Sequence, residues 1–264
     1  MNKILRSFFV AAMVMCGMIA QAQTKCSNIA EFLKLADKTE AELTLKDAIA
    51  VADLTEDKGT YQTYHLWVRD ASGALYIYNI NALKDVKAGT KLNGSIMLKM
   101  SIYNGLPEGA YLKGKTSADG LTMEPGATVE PLTCKVSEIA DHMSDLVQLN
   151  TVEVVAVEST NGTNYYAKTG DGQTQLFPKM DVKKKNLAAA STSGKKYTVV
   201  GVVSSYKGTA QIYPIKLTEE VTAGISAVAA GQDPDAPIYN LNGQQVGTDY
   251  KGVVIQKGKK FVRK

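Results

Sequence analysis

The chain repeats itself. A stretch that begins Cys26-Ser27-Asn28-Ile29-Ala30-Glu31 returns as Cys134-Lys135-Val136-Ser137-Glu138-Ile139-Ala140-Asp141. Each copy opens on a cysteine and carries an Ile-Ala-acid triplet inside a short helical pattern. Later in each copy a glycine interrupts a strand pattern, Gly94 in Leu92-Asn93-Gly94-Ser95-Ile96 and Gly201 in Val199-Val200-Gly201-Val202-Val203. A Tyr-x-Gly turn follows, Tyr103-Asn104-Gly105 and Tyr206-Lys207-Gly208. The four landmarks keep their order and lie 108, 110, 107 and 103 residues apart. A domain duplication explains that, and it disfavours a fold in which the whole chain closes one barrel.

Within the first copy, Leu43 to Leu54 reads as one long or bent strand after the short helix. Tyr61 to Asp70 alternates most clearly: Tyr64, Leu66 and Val68 point one way, and His65, Trp67 and Arg69 the other. Ala71-Ser72-Gly73 turns the chain back into Ala74 to Tyr78, and Lys91 to Met100 is the strand that Gly94 bends. Residues 116–131 read as a linker or elaborated loop. The second copy repeats the plan with a long strand from Leu146 to Val157, the hairpin signal Asn161-Gly162, paired segments across Thr169-Gly170-Asp171-Gly172, and a strand from Lys196 to Ser204. Residues 183–193 read as a solvated connection.

Five short strands per copy, with a bend at a strand glycine, predict small five-stranded barrels. The pattern Val68-Arg69-Asp70-x-x-Gly73-x-Leu75-x-Ile77, then Gly89-x-x-Leu92-x-Gly94, resembles the OB-fold domains of secreted bacterial proteins. The second copy matches at Ala167-Lys168-x-x-Asp171-Gly172 and Tyr197-Thr198-Val199-x-Gly201-Val202-Val203. The fold expected is mainly β: tandem OB-like barrels over 23–130 and 131–222, each with a short helix, then a linker over 223–236 and a small β unit over 237–264. An immunoglobulin-like sandwich pair is the alternative.

The two ends read as an export system. Lys3 and Arg6, the apolar run Phe8 to Ile19 and Ala20-Gln21-Ala22 make residues 1–22 a signal peptide, too short in its apolar run to span a bilayer. At the other end stand Ile238-Tyr239-Asn240-x-x-Gly243, then Lys251-Gly252-x-x-Ile255, then Gly258-Lys259-Lys260. This looks like a short form of the C-terminal sorting domain of type IX secretion. The resemblance implies passage through the periplasm, that secretion machinery as a partner, a secreted or cell-surface location, and no transmembrane span after cleavage. Tyr239, Asn240, Gly243, Gly252, Gly258, Lys259 and Lys260 carry the motif.

Charge narrows the function. The chain is +4. Lys3 and Arg6 leave with the signal, and the tail from Ala223 holds six cations against three anions, so residues 23–222 sum to −1. That argues against a dedicated nucleic-acid footprint. No metal-spaced cluster, P-loop, G-x-S-x-G or G-x-G-x-x-G occurs, and His65 and Asp70 alternate to opposite faces, so neither an enzyme nor a cofactor is expected. Cys26 and Cys134 either pair across the copies or remain separate buried thiols.

Aromatics are the better lead. Strands two and three of an OB barrel form its usual ligand platform. There the sequence puts Trp67, His65, Arg69, Tyr76 and Tyr78 in the first copy, and Tyr165 and Phe177 in the second. Trp67 is expected to be exposed there, unless a second layer, from the other copy or the opening helix, covers it. The reading is a non-catalytic module for an extracellular glycan or peptide. The alternatives are an extracellular OB-fold nucleic-acid binder or a structural accessory of a surface assembly.

Overall fold

The computed structural model describes residues 23–220, 237–247, 249–256 and 259–263. The expected signal peptide, the whole linker and Gly258 lie outside the described residues. The chain divides into two compact units after Thr218.

The first copy builds β1 (Thr24–Cys26), α1 (Ile29–Phe32), β2 (Glu40–Asp57), β3 (Gln62–Asp70), β4 (Gly73–Tyr78), β5 (Lys91–Tyr103), β6 (Leu106–Ala110) and β7 (Leu121–Glu124). The order β2-β3-β4-β6-β5 closes into a ring because β2 pairs with both β3 and β5. At 18 residues β2 is long enough to serve one partner with each half, and its register shifts between Leu45 and Ala48 as it turns the corner. The second copy gives β8 (Leu132–Thr133), β9 (Leu146–Ser159), β10 (Gly162–Thr169), β11 (Gly172–Leu176), α2 (Lys184–Ser191), β12 (Lys196–Tyr206) and β13 (Thr209–Glu219). Its ring, β9-β10-β11-β13-β12, closes back on β9. Both rings join their third and fifth strands in parallel, β4 with β6 and β11 with β13. Two closed five-stranded OB-like barrels therefore stand in tandem.

Each barrel has its own core. Leu43, Leu66, Val68, Leu75, Ile77 and Leu98 fill the first, and Val147, Leu149, Val152, Ala167, Val199 and Ile212 the second. The repeated hairpin aspartate has one job in both. Asp70 accepts from the Ile29 amide at 3.0 Å, and Asp171 from the Ser137 amide at 3.1 Å. Each ties a hairpin to the helical turn that opens its own copy.

Several expectations change. Residues 183–193 are not merely a solvated connection: α2 spans most of them and buries Leu187 and Ala190. The stretch 116–131 is not only a linker, since β7 pairs with β5. Gly94 stands at φ +117°, and a Cβ there would lie 1.9 Å from the Gly120 carbonyl oxygen, so the position needs glycine. Cys26 and Cys134 are free thiols, so of the two alternatives the separate thiols hold and the possible disulfide does not. Cys26 sits in the first core and Cys134 packs on the second.

The second unit forms a four-stranded antiparallel sheet, β15-β14-β16-β17, from β14 (Ile238–Asn240), β15 (Gln245–Val246), β16 (Gly252–Gln256) and β17 (Lys259–Arg263). Asn240 organises its first turn. Its Oδ1 accepts from the amides of Asn242 and Gln244, both at 3.0 Å, while its Nδ2 donates to the Gln244 side chain. Tyr239, Lys259 and Lys260 are exposed. No helix among the described residues is long and apolar enough to cross a membrane.

Candidate functional site

The outward face of the first barrel is where its chemistry lies, and the second barrel covers much of it. His65, Trp67 and Arg69 face away from the first core, as their alternation requires. Trp67 is nonetheless only 1% exposed. It joins Val51, Ala52, Tyr76 and Leu106 of the first copy with Leu146, Met180 and Val202 of the second in a third apolar cluster. An exposed Trp67 platform is therefore corrected: the other copy supplies the second layer. His65 and Tyr76 are buried with it. Arg69 reaches across to Asp145 at 3.0 Å and to the Glu130 carbonyl at 2.8 Å, so it docks the barrels. Burial pushes the Asp145 carboxyl up, with Arg69 opposing. Tyr165 belongs to the second core and is no platform residue. Phe177 is exposed and its ring meets Tyr213 at 5.6 Å.

The repeated Tyr-x-Gly turns meet each other. The Gly208 amide donates to the Asn104 carbonyl at 3.2 Å, and so does the Ser205 hydroxyl at 3.2 Å. Gly105 is required there: its φ is +81°, and a Cβ would lie 2.6 Å from the Gly208 nitrogen. The contact brings Tyr103 and Tyr206 to one rim.

Between that rim and the β2–β3 turn lies a cleft of about 400 Å³. Trp67, Tyr76 and Tyr78 line it from β3 and β4, and Lys179, Tyr206 and Tyr213 from the second barrel. Four tyrosines stand open to solvent around it: Tyr61, Tyr78, Tyr103 and Tyr206. The inner rings stack, with Trp67 and Tyr76 centroids 5.0 Å apart and His65 and Trp67 6.1 Å apart.

A polar chain runs through the wall. The Tyr76 hydroxyl bonds His65 Nδ1, and His65 Nε2 lies 3.2 Å from Glu56. Burial, then the Lys179 charge, lowers His65 to about 4, so at neutral pH the imidazole is uncharged and its Nε2–H donates to the Glu56 carboxylate. Burial alone would raise Glu56, but the Lys58 hydrogen bond and the charges of Lys179, His65 and Lys58 hold it at about 2. Lys179 spans the barrels to Glu56 at 3.5 Å and lies over the Tyr213 ring. Glu108 sits deeper, 7% exposed, and burial pushes it up to about 7 against the Ser101 hydrogen bond and the Lys99 charge. The Trp67 indole Nε1–H is buried without an acceptor.

Sequence reasoning found β3 and β4 but missed Glu56, Glu108 and Lys179. Strand alternation carries no signal about which barrel covers which face. The one hint of the contact was that a second layer could cover Trp67. No group of three or more His, Cys, Asp or Glu among the described residues could hold a metal ion.

The fold and cleft define a class: a tandem OB-type barrel pair with an aromatic cleft between the barrels. No protein-family profile matches the chain, and no curated protein does. Among solved structures, a murine DNA-binding protein bound with double-stranded DNA is 11% identical, covering 69% of this chain and 99% of its own, with a TM-score of 0.34. The Ifi202 HINa domain in complex with 20-bp double-stranded DNA is 12% identical, covering 70% and 98%, with a TM-score of 0.30. A replication protein A heterotrimer bound to single-stranded DNA is 8% identical, covering 76% and 70%, with a TM-score of 0.24. Likeness this slight carries no argument, and the fold stands on the strand pairings themselves.

Proposed function

We propose that the barrel pair is a non-catalytic binding module whose site is the interbarrel cleft, and that its ligand is single-stranded nucleic acid. The observation that carries this reading is the interleaving of rings and cations at the rim. Tyr61, Tyr78, Tyr103 and Tyr206 are exposed there. Lys58 and Lys179 line the same cleft, and the Lys207 ammonium stacks on Tyr206. Exposed rings beside lysines serve single strands, whose bases are free to stack. The near-neutral body argued against an electrostatic footprint, and it still argues against duplex binding, which depends on many phosphate contacts. The rim is a local exception: Lys58, Lys179 and Lys207 stand there against Glu56, whose single charge leaves a positive excess for phosphates.

The test is titration with short homo-oligonucleotides at several salt concentrations. About two phosphate contacts predict a log–log salt slope near −1 to −2. Saturable binding of single strands but not of duplex supports the reading, and no binding to any oligonucleotide at low salt ends it. A glycan is the second reading, favoured by the −1 body and by two carboxyl groups inside the cleft. A glycan array positive where oligonucleotides fail would establish it.

Export also belongs here as a proposal. The signal-like start and the ordered sorting-like motif of the tail support a secreted or surface-attached module. The tail sheet holds Asn240 and Gly243 in one tight turn. Deleting 223–264 should retain the protein in the periplasm, and normal export of the truncated chain would count against the sorting reading.

A further inference from the structure

We infer that Glu108 is the residue that reads the ligand in the cleft: its carboxyl donates, as the neutral acid, to an acceptor atom on the edge of an inserted base. The inference rests on the nucleic-acid reading above. On β6 the side chains alternate. A Cβ on Gly109 would meet core atoms of Leu98, Leu75 and Ile77, so Leu106 and Glu108 face the other way, toward the second barrel. Glu108 pairs in register with Tyr76, two register positions and so on the same face from Tyr78, whose ring opens the cleft to solvent. A base stacked on Tyr78 would therefore have the Glu108 carboxyl close to its edge. The residue has no ion-pair partner within the cleft to hold its charge. Lys58 and Lys179 are committed to Glu56. A second donor, the unpartnered Trp67 Nε1–H, belongs to the same wall. A wall with two donors suits a ring edge that presents carbonyl oxygens or ring nitrogens.

The charge state supports this. Burial brings the Glu108 titration to about 7, the Ser101 hydroxyl and Lys99 opposing. Of the neighbouring groups whose pKa is shifted, none titrates between pH 6 and 8.5. Glu56 and His65, at about 2 and about 4, finish below that window. Tyr76, Tyr78 and Tyr213 are all pushed up by burial first. Lys58, Lys99 and Lys179 are the nearby cations. Above the titration Glu108 becomes a buried anion facing a polyanion, so binding weakens as pH rises.

The experiment measures affinity for a labelled oligo-dT by fluorescence anisotropy at pH 6, 7 and 8.5. The wild type should lose about tenfold in affinity over that range, the size of one lost hydrogen bond to the ligand. Glu108→Gln keeps a fixed N–H donor, so its affinity should be flat with pH. Ser101→Ala, at a position that is not part of the core, removes a bond that favours the carboxylate and should move the wild-type midpoint to higher pH. A wild type that binds equally at pH 6 and 8.5, or a Glu108→Gln variant that keeps the full pH dependence, overturns the inference while leaving the nucleic-acid reading standing. Absence of binding by the wild type at pH 6 overturns both.

Discussion

Trp67 shows how one residue can satisfy its strand and still belong to a different layer. Its alternation sends it out of the first barrel, and the second barrel buries it. As the chain's one tryptophan, it should emit at blue-shifted wavelength and resist quenching by iodide. Trp67→Ala should cost about 3–5 kcal/mol in denaturant unfolding, and a solvent-like emission would place the residue outside the interface. The neighbouring acids and His65 set the pH response. His65 is lowered from 6.5 to about 4, so the unfolded chain binds its proton first and stability from this group is lost as pH falls below 6.5. Glu108 is raised from 4.5 to about 7, which has the opposite sign: its contribution is lost as pH rises from 4.5 to 7. The two shifts oppose each other between pH 4.5 and 6.5, so wild-type stability should be nearly flat there. Glu108→Gln should instead become more stable as pH rises through that window. Below 4.5 the lowered Glu56, at about 2, adds its own loss to that of His65. Urea midpoints across pH 3 to 7.5 check all three signs, and a falling slope in Glu108→Gln would refute the assignment.

Among elements, the paired turns β5–β6 and β12–β13 offer the cleanest comparison. Gly105 and Gly208 hold nearly the same φ, +81° and +82°. A methyl group on Gly105 strikes the facing turn, while one on Gly208 meets nothing within 4 Å. Both alanine variants carry similar backbone strain, about 1–3 kcal/mol. Gly105→Ala should lose more and should also loosen the barrel contact, read as a red shift of Trp67 emission. Equal losses in the two variants would mean the turns do not support each other. The turns were legible in the sequence, as were the five strands per copy and the bend at Gly94, because local spacing dictates them. The site was only half legible. Tyr76 and Tyr78 were found because they share a hairpin with Trp67. Lys179 was not, because it reaches the cleft only after one barrel docks on the other, and Glu108 was not, because strand pairing rather than sequence spacing sets it beside Tyr76. The sequence leaves open whether Cys26 and Cys134 pair, since equal positions in a repeat say nothing of distance between copies, and the two thiols are free. α2 was misread because its lysines hide the two small-to-medium apolar residues it buries.

At the scale of the molecule, duplication gave one barrel's aromatic face a roof. The first barrel keeps the OB platform strands, and the second contributes Lys179, Tyr206 and Tyr213 to the same cleft. The tail has its own sheet and its own turn network, so deleting 223–264 should leave the melting temperature of the barrel pair within about 2 °C, the range of changes too small to register as lost structure. A drop of ten degrees would mean that the tail is part of the body's fold. The central claim is that the cleft between the barrels takes up a single strand. Its most direct test is a titration of Trp67 emission with oligo-dT at pH 6 and low salt, since the reporter lines the cleft itself. The expected result is a saturable change in emission that disappears when Tyr78 and Tyr103 are both replaced by alanine. An emission that stays constant while anisotropy shows the oligonucleotide bound would place the site elsewhere on the protein and contradict the account.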